Sequence, residues 1–169
     1  MIFNFKKHNT DLYNTLLLLS RNLFFYNKIK LKDTFETRIY LIFVHFSIFL
    51  LIFKRRGEKF SQKKYDSLFF CIENNLRELG FGDVSVNKKM KDFNKIFYDI
   101  LLKLNQSQNS FNINRELLLD YFVDLKELNL KKYQLFEDYF LKFYDFCFEL
   151  NSENMIKDAL KFKDYNGST

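Results

Sequence analysis

His8, His45, Cys71 and Cys147 are the chain's whole supply of imidazole bases, soft metal ligands and thiol nucleophiles. None is spaced for joint work. No H-E-x-x-H or C-x-x-C run sets two ligands on one helix face or in one turn. Neither a nucleophile elbow nor a local cysteine-protease signature occurs. His8 stands in a polar, basic terminus. His45 lies between Val44 and Phe46 in an apolar run, where an imidazole normally serves as a hydrogen-bonded core residue; as a base it needs an acid beside it in a concave site. The two cysteines also have apolar neighbours, which favours reduced, buried thiols over a disulfide framework. Gly80-Phe81-Gly82 is a G-x-G without its third glycine and without a preceding strand, so it lacks the context of a phosphate-binding turn. No C-x-x-C-H haem-attachment motif is present, and the reading expects no catalytic residue, no metal and no cofactor.

The cations are more suggestive. Lys54, Arg55, Arg56, Lys59, Lys63 and Lys64 crowd together with Glu58 as the only acid among them. Lys88, Lys89 and Lys91 fall in the first turns of a helix, at the positive end of its dipole, where acids are preferred. A local cost of that kind points to use, in contacts with phosphate, lipid headgroups or an acidic partner. The net charge of +6 is uneven: Met1–Asn114 carries 19 Lys+Arg against 10 Asp+Glu, and Arg115–Thr169 carries 8 against 11. A basic front and an acidic back read either as an oriented surface facing RNA or an anionic membrane, or as solvation for a phenylalanine-rich protein.

The elements that must position these groups are helices. With 47% hydrophobic residues, 23 Phe, 10 Tyr, no Pro and only four Gly, the 169-residue chain has core material in quantity and few breakers. Leu12, Leu16, Leu19 and Leu23 stripe a first helix over Asp11–Phe25, followed by a basic turn at Asn27–Lys32. Asp33 or Thr34 caps a second helix, apolar nearly all round, which leaves through Lys54-Arg55-Arg56-Gly57. Its stretch Ile39–Phe53 is shorter than the ~20 residues a spanning helix needs and has His45 and Ser47 at its centre, so it reads as a buried core helix. Ser61 opens a third helix that stops at Gly80. Asp83 or Ser85 caps a fourth, which buries Val86, Met90, Phe93, Phe97, Ile100 and Leu104. Beyond the polar stretch Asn105–Asn112 come a helix over Asn114–Leu128, a regular one through Tyr133, Phe136, Phe140, Phe143, Cys147 and Leu150, and a short one within Glu153–Lys163. The expected fold class is all-α: a compact single-domain bundle of about six to seven helices spanning residues 1–169.

At the junction of the third and fourth helices the residues become specific. Leu76-Arg77-Glu78-Leu79-Gly80-Phe81-Gly82-Asp83, then Val86 and Lys88-Lys89-Met90-Lys91, closely resemble the signature of the ubiquinol–cytochrome c chaperone family: a Leu-Arg-Glu triplet, a Gly-x-Gly-Asp turn and a basic K-x-M-K helix start. Leu12-Tyr13, Arg21, Phe25-Tyr26, Asp33-Thr34, Arg38, His45 and Phe97-Tyr98 agree in order and spacing. The resemblance is strong over Leu12–Leu104 and continues weakly to Leu150, with the C-terminal helices (residues 113–163) in the same domain. Cys71-Ile72-Glu73 departs from the family's usual Asp-Met-Asp, Asn87 from a common proline, and Asp99-Ile100 from a Gly-Arg.

The resemblance implies a helical chaperone for assembly of the cytochrome bc1 complex (complex III), acting on cytochrome b or an assembly intermediate, near the ribosome and with a small partner subunit in mitochondrial relatives. No signal peptide or mitochondrial presequence is evident, so a bacterial-type member at the cytoplasmic face of the membrane is expected. Lys88, Lys89, Lys91, Arg55 and Arg56 are the expected partner-binding residues. Arg21, Asp33, Arg38, His45, Arg77, Glu78, Gly80, Gly82 and Asp83 are the expected structural signature. Within it, Gly80 and Gly82 permit a turn that side chains would obstruct, Asp83 caps, and Arg77 and Glu78 brace from behind. Arg38 and His45 are expected to be partly or wholly buried and paired with acids such as Asp33, Glu73, Glu78 or Asp83. Two other readings stand beside the chaperone: a basic helical module that binds ribosome or RNA, and a helical enzyme with His45 as its base in a pocket beside an acid.

Overall fold

Side-chain caps start three of the seven α-helices in the computed structural model, which describes residues 11–104, 111–127 and 130–162. The α-helices among them are α1 (Asp11–Ser20), α2 (Phe35–Arg55), α3 (Gln62–Glu78), α4 (Asp83–Leu104), α5 (Arg115–Tyr121), α6 (Leu130–Phe148) and α7 (Met155–Asp158). A π-turn at Phe24–Lys28 and a 3-10 turn at Val123–Glu127 complete the order, and no strand occurs among the described residues. The protein is all-α. Of the two candidate caps for α2, Thr34 does the work: its hydroxyl accepts the Thr37 N–H at 3.1 Å. Ser61 caps α3 through the Lys64 N–H, and Asn114 caps α5 through the Glu116 N–H. Gly57 ends α2 at φ +69°, and Gly80 follows α3 at φ +97°.

α1 is shorter than its leucine stripe predicts. The Asn22 side chain takes the Phe24 N–H at 3.0 Å, and the Ser20 hydroxyl bonds the Leu17 carbonyl. Such local side-chain bonds compete with the helical ladder. The chain then makes the wide π-turn, closed by Ile29 N–H to Phe24 O at 3.1 Å, and leaves through Lys30 at φ +67°. Phe24 and Phe25 are both buried by it. The helix expected over Asn114–Leu128 is likewise shorter; it breaks at Phe122, and the 3-10 turn follows. Most of the Asn105–Asn112 stretch lies outside the described residues.

α2 is the hub. Every residue from Leu41 to Phe49 is buried, because α1, α4 and α6 all pack on it. It is long and apolar enough to cross a bilayer, yet 67% of its most apolar stretch is buried inside the protein. Phe43 meets Phe69 and Phe46 meets Tyr65, so α3 runs back antiparallel to α2. Phe43 meets Phe93 and Phe46 meets Phe97, so α4 runs parallel to it. The α3–α4 connection therefore stands at the Phe35 end of α2, and Arg55 and Arg56 stand at the other.

At that other end, Arg56 closes α6. Its guanidinium donates to the carbonyls of Phe148 at 2.6 Å and Leu150 at 2.8 Å and to the Ser152 hydroxyl at 2.7 Å. The Phe148 carbonyl belongs to the group that a helix C-terminus leaves without internal donors, and Leu150 and Ser152 lie just beyond it. Arg55 donates to the Tyr144 hydroxyl at 2.6 Å. Arg56→Ala should lower unfolding free energy by about 1–3 kcal/mol, the cost of stripping charge-assisted bonds from half-buried acceptors. Arg56→Lys should recover only part of it, since an ammonium lacks the planar fork that spans three acceptors. Denaturant unfolding of the three proteins checks both.

Candidate functional site

The α3–α4 hairpin carries the residues that the sequence singled out as a working surface. α3 ends at Glu78; Leu79, Gly80, Phe81 and Gly82 turn the chain, and α4 begins at Asp83, with Val86 N–H bonding the Gly82 carbonyl at 2.9 Å. Arg77 joins the two arms. One guanidinium nitrogen lies 3.2 Å from Glu73 of α3 and another 3.5 Å from Asp83 of α4. Asp83 is the first residue of α4 rather than its cap, and its charge suits the positive end of the helix. Glu78 is exposed.

The two glycines differ. Gly80 sits at φ +97°, which L side chains adopt only with strain, whereas Gly82 has no positive φ. A Cβ added at either position meets no atom within 4 Å. The expected steric obstruction is thus absent: Gly80 is required by its backbone angle alone, and Gly82 by neither angle nor space.

Lys88 and Lys91 project into solvent from the first turns of α4, while Lys89 is half-buried with its ammonium 4.7 Å from the Phe81 ring centre. Leu79, Phe81 and Val84 are exposed around the turn, Val84 at 85% of its surface. Beside the hairpin, a cavity of about 410 Å³ between α2 and α4 is lined by Glu36, Tyr40, Lys89, Asp92, Phe93, Lys95 and Ile96. Its two acids and two lysines balance. Arg55 and Arg56, expected as partner-binding residues, stand at the opposite end of α2 from the hairpin and bond to α6 and the segment just after it.

A second group of signature residues meets where the π-turn feeds α2. Arg38 Nε and Nη2 form a two-pronged pair with Asp33 at 2.6 and 2.8 Å. The bond from Arg38 holds the Asp33 carboxyl below the usual range, and the nearby positive charge of Arg21 adds to this. Tyr26 donates to the Ser20 carbonyl at 2.7 Å, and burial pushes its hydroxyl up to about 12. This cluster ties the exit of α1 to the entry of α2.

His45 is buried completely, but not against an acid. Its Nδ1 lies 2.6 Å from the Leu41 carbonyl, which can only accept, so Nδ1 carries the hydrogen. Nε2 then accepts from the Tyr139 hydroxyl at 3.0 Å, linking α2 to α6. The rings of Phe25, Phe140 and Phe143 enclose the imidazole edge-on. Burial drives its pKa down to about 4. The acid partner expected for His45 is replaced by a backbone carbonyl and a phenol, since a neutral imidazole in such a shell needs one acceptor and one donor. An active-site base beside an acid is not what this geometry provides. Sequence reasoning missed Tyr139 as the partner and the apolar trio at the hairpin; the partner follows from the packing of α6, which periodicity cannot register. Cys147 is buried and its thiol pKa raised by burial, while Cys71 is only half-buried, against the expectation.

The hairpin, the Asp33–Arg38 pair and His45 all lie in one stretch of sequence, and the sequence model of the family described as Ubiquinol-cytochrome C chaperone matches residues 27–134. The chain belongs to the ubiquinol–cytochrome c chaperone family. No curated protein and no solved structure matches it. The family match takes in α2 to α5 whole, and with them the hairpin and its lysines.

Two outcomes are expected from this geometry. Gly80→Ser should cost about 1–2 kcal/mol through the left-handed angle, whereas Gly82→Ser should be neutral or stabilising, since serine is favoured where the first helical carbonyl bond is accepted; thermal unfolding distinguishes them. For His45 the folded pKa lies below the unfolded value of 6.5. Stability is therefore full above pH 6.5 and falls as pH drops towards about 4, because the unfolded chain takes up a proton that the native chain refuses. The loss amounts to roughly 3 kcal/mol over that window. Urea unfolding between pH 7.5 and 4 should show this slope, and His45→Gln should lack it.

Proposed function

We propose that this chain is a non-catalytic chaperone that holds newly made cytochrome b, or an intermediate in assembly of the bc1 complex, at the cytoplasmic face of the membrane. The α3–α4 hairpin, with Lys88, Lys89 and Lys91, is its holding surface. Membership of the ubiquinol–cytochrome c chaperone family carries the general role. The observation that supports this surface is its build: Arg77 bridges Glu73 and Asp83 beneath a solvent-facing turn, so the lysines stand on a braced base rather than on a loose loop. Pre-organised groups lose less freedom when a partner binds. Such a role needs a surface and no reacting group, and the neutral, enclosed His45 serves the fold.

The Arg21–Tyr26–Asp33–Arg38 cluster, Gly80 and Asp83 are structural in this reading. The bonds of Arg55 and Arg56 to α6 support a part in the fold for them. A small partner subunit and the ribosome are candidate companions in this reading.

Lys88, Lys89 and Lys91 changed together to Ser should leave helicity intact, because exposed substitutions shift stability by under ~0.5 kcal/mol each. Complex III content in cells carrying only this variant should fall severalfold, with cytochrome b lost from pull-downs of solubilised membranes. Normal complex III with normal cytochrome b recovery would place the holding surface elsewhere. Capture that vanishes on nuclease treatment would favour a ribosome- or RNA-binding role instead.

A further inference from the structure

The lysines explain only half of the hairpin's surface. Leu79, Phe81 and Val84 are 59%, 39% and 85% exposed, and they sit together because the turn brings the end of α3 and the start of α4 to one apex. Scattered exposed apolar residues need no explanation; three at one protruding turn do. At the apex, a Cβ added at Gly80 or Gly82 would meet no atom within 4 Å. Directly behind it, on the first turns of α4, come Lys88, Lys89 and Lys91.

Between residues 77 and 91 four cations face two acids, a net charge of +2. Arg77 is engaged with Glu73 and Asp83, so the lysines carry the excess. An apolar point followed by a belt of ammonium groups matches the cross-section of an anionic bilayer surface, where acyl chains lie below a layer of phosphates. The Lys89 ammonium over the Phe81 ring holds the apolar and cationic parts in register. An acidic protein partner would be matched by the lysines but would leave the bare apex unaccounted for.

We propose that the α3–α4 apex is a lipid anchor: Leu79, Phe81 and Val84 enter the interface of an anionic bilayer while Lys88, Lys89 and Lys91 bind its headgroup phosphates. This deepens the reading of the hairpin as the holding surface and rests on it. Docked this way, the hairpin meets its client at the surface of the membrane into which that client is inserted.

The chain has no tryptophan, so Phe81→Trp places a single fluorescent reporter at the apex, and Phe70→Trp, on the exposed outer side of α3, gives a control. On vesicles of phosphatidylcholine with 30% phosphatidylglycerol, the purified Phe81→Trp protein should show blue-shifted emission and quenching by brominated acyl chains, with Phe70→Trp unchanged. Vesicles of phosphatidylcholine alone should bind at least about tenfold more weakly, and high salt should release the protein. Leu79, Phe81 and Val84 changed together to Ser should weaken sedimentation with anionic vesicles about tenfold or more while circular dichroism stays the same. Binding without any shift in the Phe81→Trp emission, or equal binding by the triple-serine protein, would overturn the anchor. Recovery with membranes that is abolished by nuclease, in a protein that ignores vesicles, would overturn it in favour of RNA. A chain that ignores vesicles yet sustains complex III defeats the lipid contact and leaves the chaperone role standing.

Discussion

A 21-residue helix whose sides are nearly all apolar cannot be left in water, and the rest of this protein is arranged around that constraint. α2 exposes too much hydrocarbon for one neighbour to cover, so α1, α4 and α6 surround it. Each fully buried phenylalanine, leucine or isoleucine contributes roughly 1.5–3 kcal/mol relative to exposure, and the nine residues from Leu41 to Phe49 are all enclosed. The aromatic excess of the chain is used here. Phe97 alone meets Phe43, Phe46, Tyr65 and Phe69, joining three helices through edge and face contacts.

Among the polar groups of this core, the Ser47 hydroxyl has no hydrogen-bond partner in the described residues, whereas His45 is fully matched. His45 has an acceptor on its own helix and a donor on α6, and no charge is asked of it. The match does more than satisfy two nitrogens. It favours one rotation of α6 about its axis, since a turned helix would leave the His45 Nε2 without its donor in a dry shell. Arg56 fixes the same helix from its end, through carbonyls that α6 cannot satisfy itself. Position along the axis and rotation about it are thus held by separate interactions, one at the middle of α2 and one at its C-terminus.

The two ends of α2 consequently have different fates. At the Arg55–Arg56 end the cations are used inside the fold, while at the Phe35 end a braced turn carries cations and apolar side chains outward. A run of basic residues in sequence does not reveal this division. Arg56 and Lys88 are both cations near helix ends, yet one finds three acceptors within 2.8 Å and the other faces solvent. The hairpin combines a braced turn with cations and apolar side chains left exposed to solvent.

Helical periodicity, the caps Thr34, Ser61 and Asn114, and the absence of proline were sufficient for the all-α architecture, because these are local properties of a few consecutive residues. The Leu76–Lys91 signature was legible for a similar reason: its glycines, acid and lysines are close in sequence and act within one turn. Even there, local reasoning misread Gly82, which is neither strained nor crowded, since the space around a turn depends on everything packed beside it. Asn22 ended α1 before its leucine stripe ran out, a competition between side chain and backbone that periodicity does not register. The partner of His45, the capture of Arg56 by α6, and the gathering of Leu79, Phe81 and Val84 at one apex were decided only by tertiary structure. Each depends on which helix lies against which, and that is set by packing between residues up to 96 positions apart in the chain.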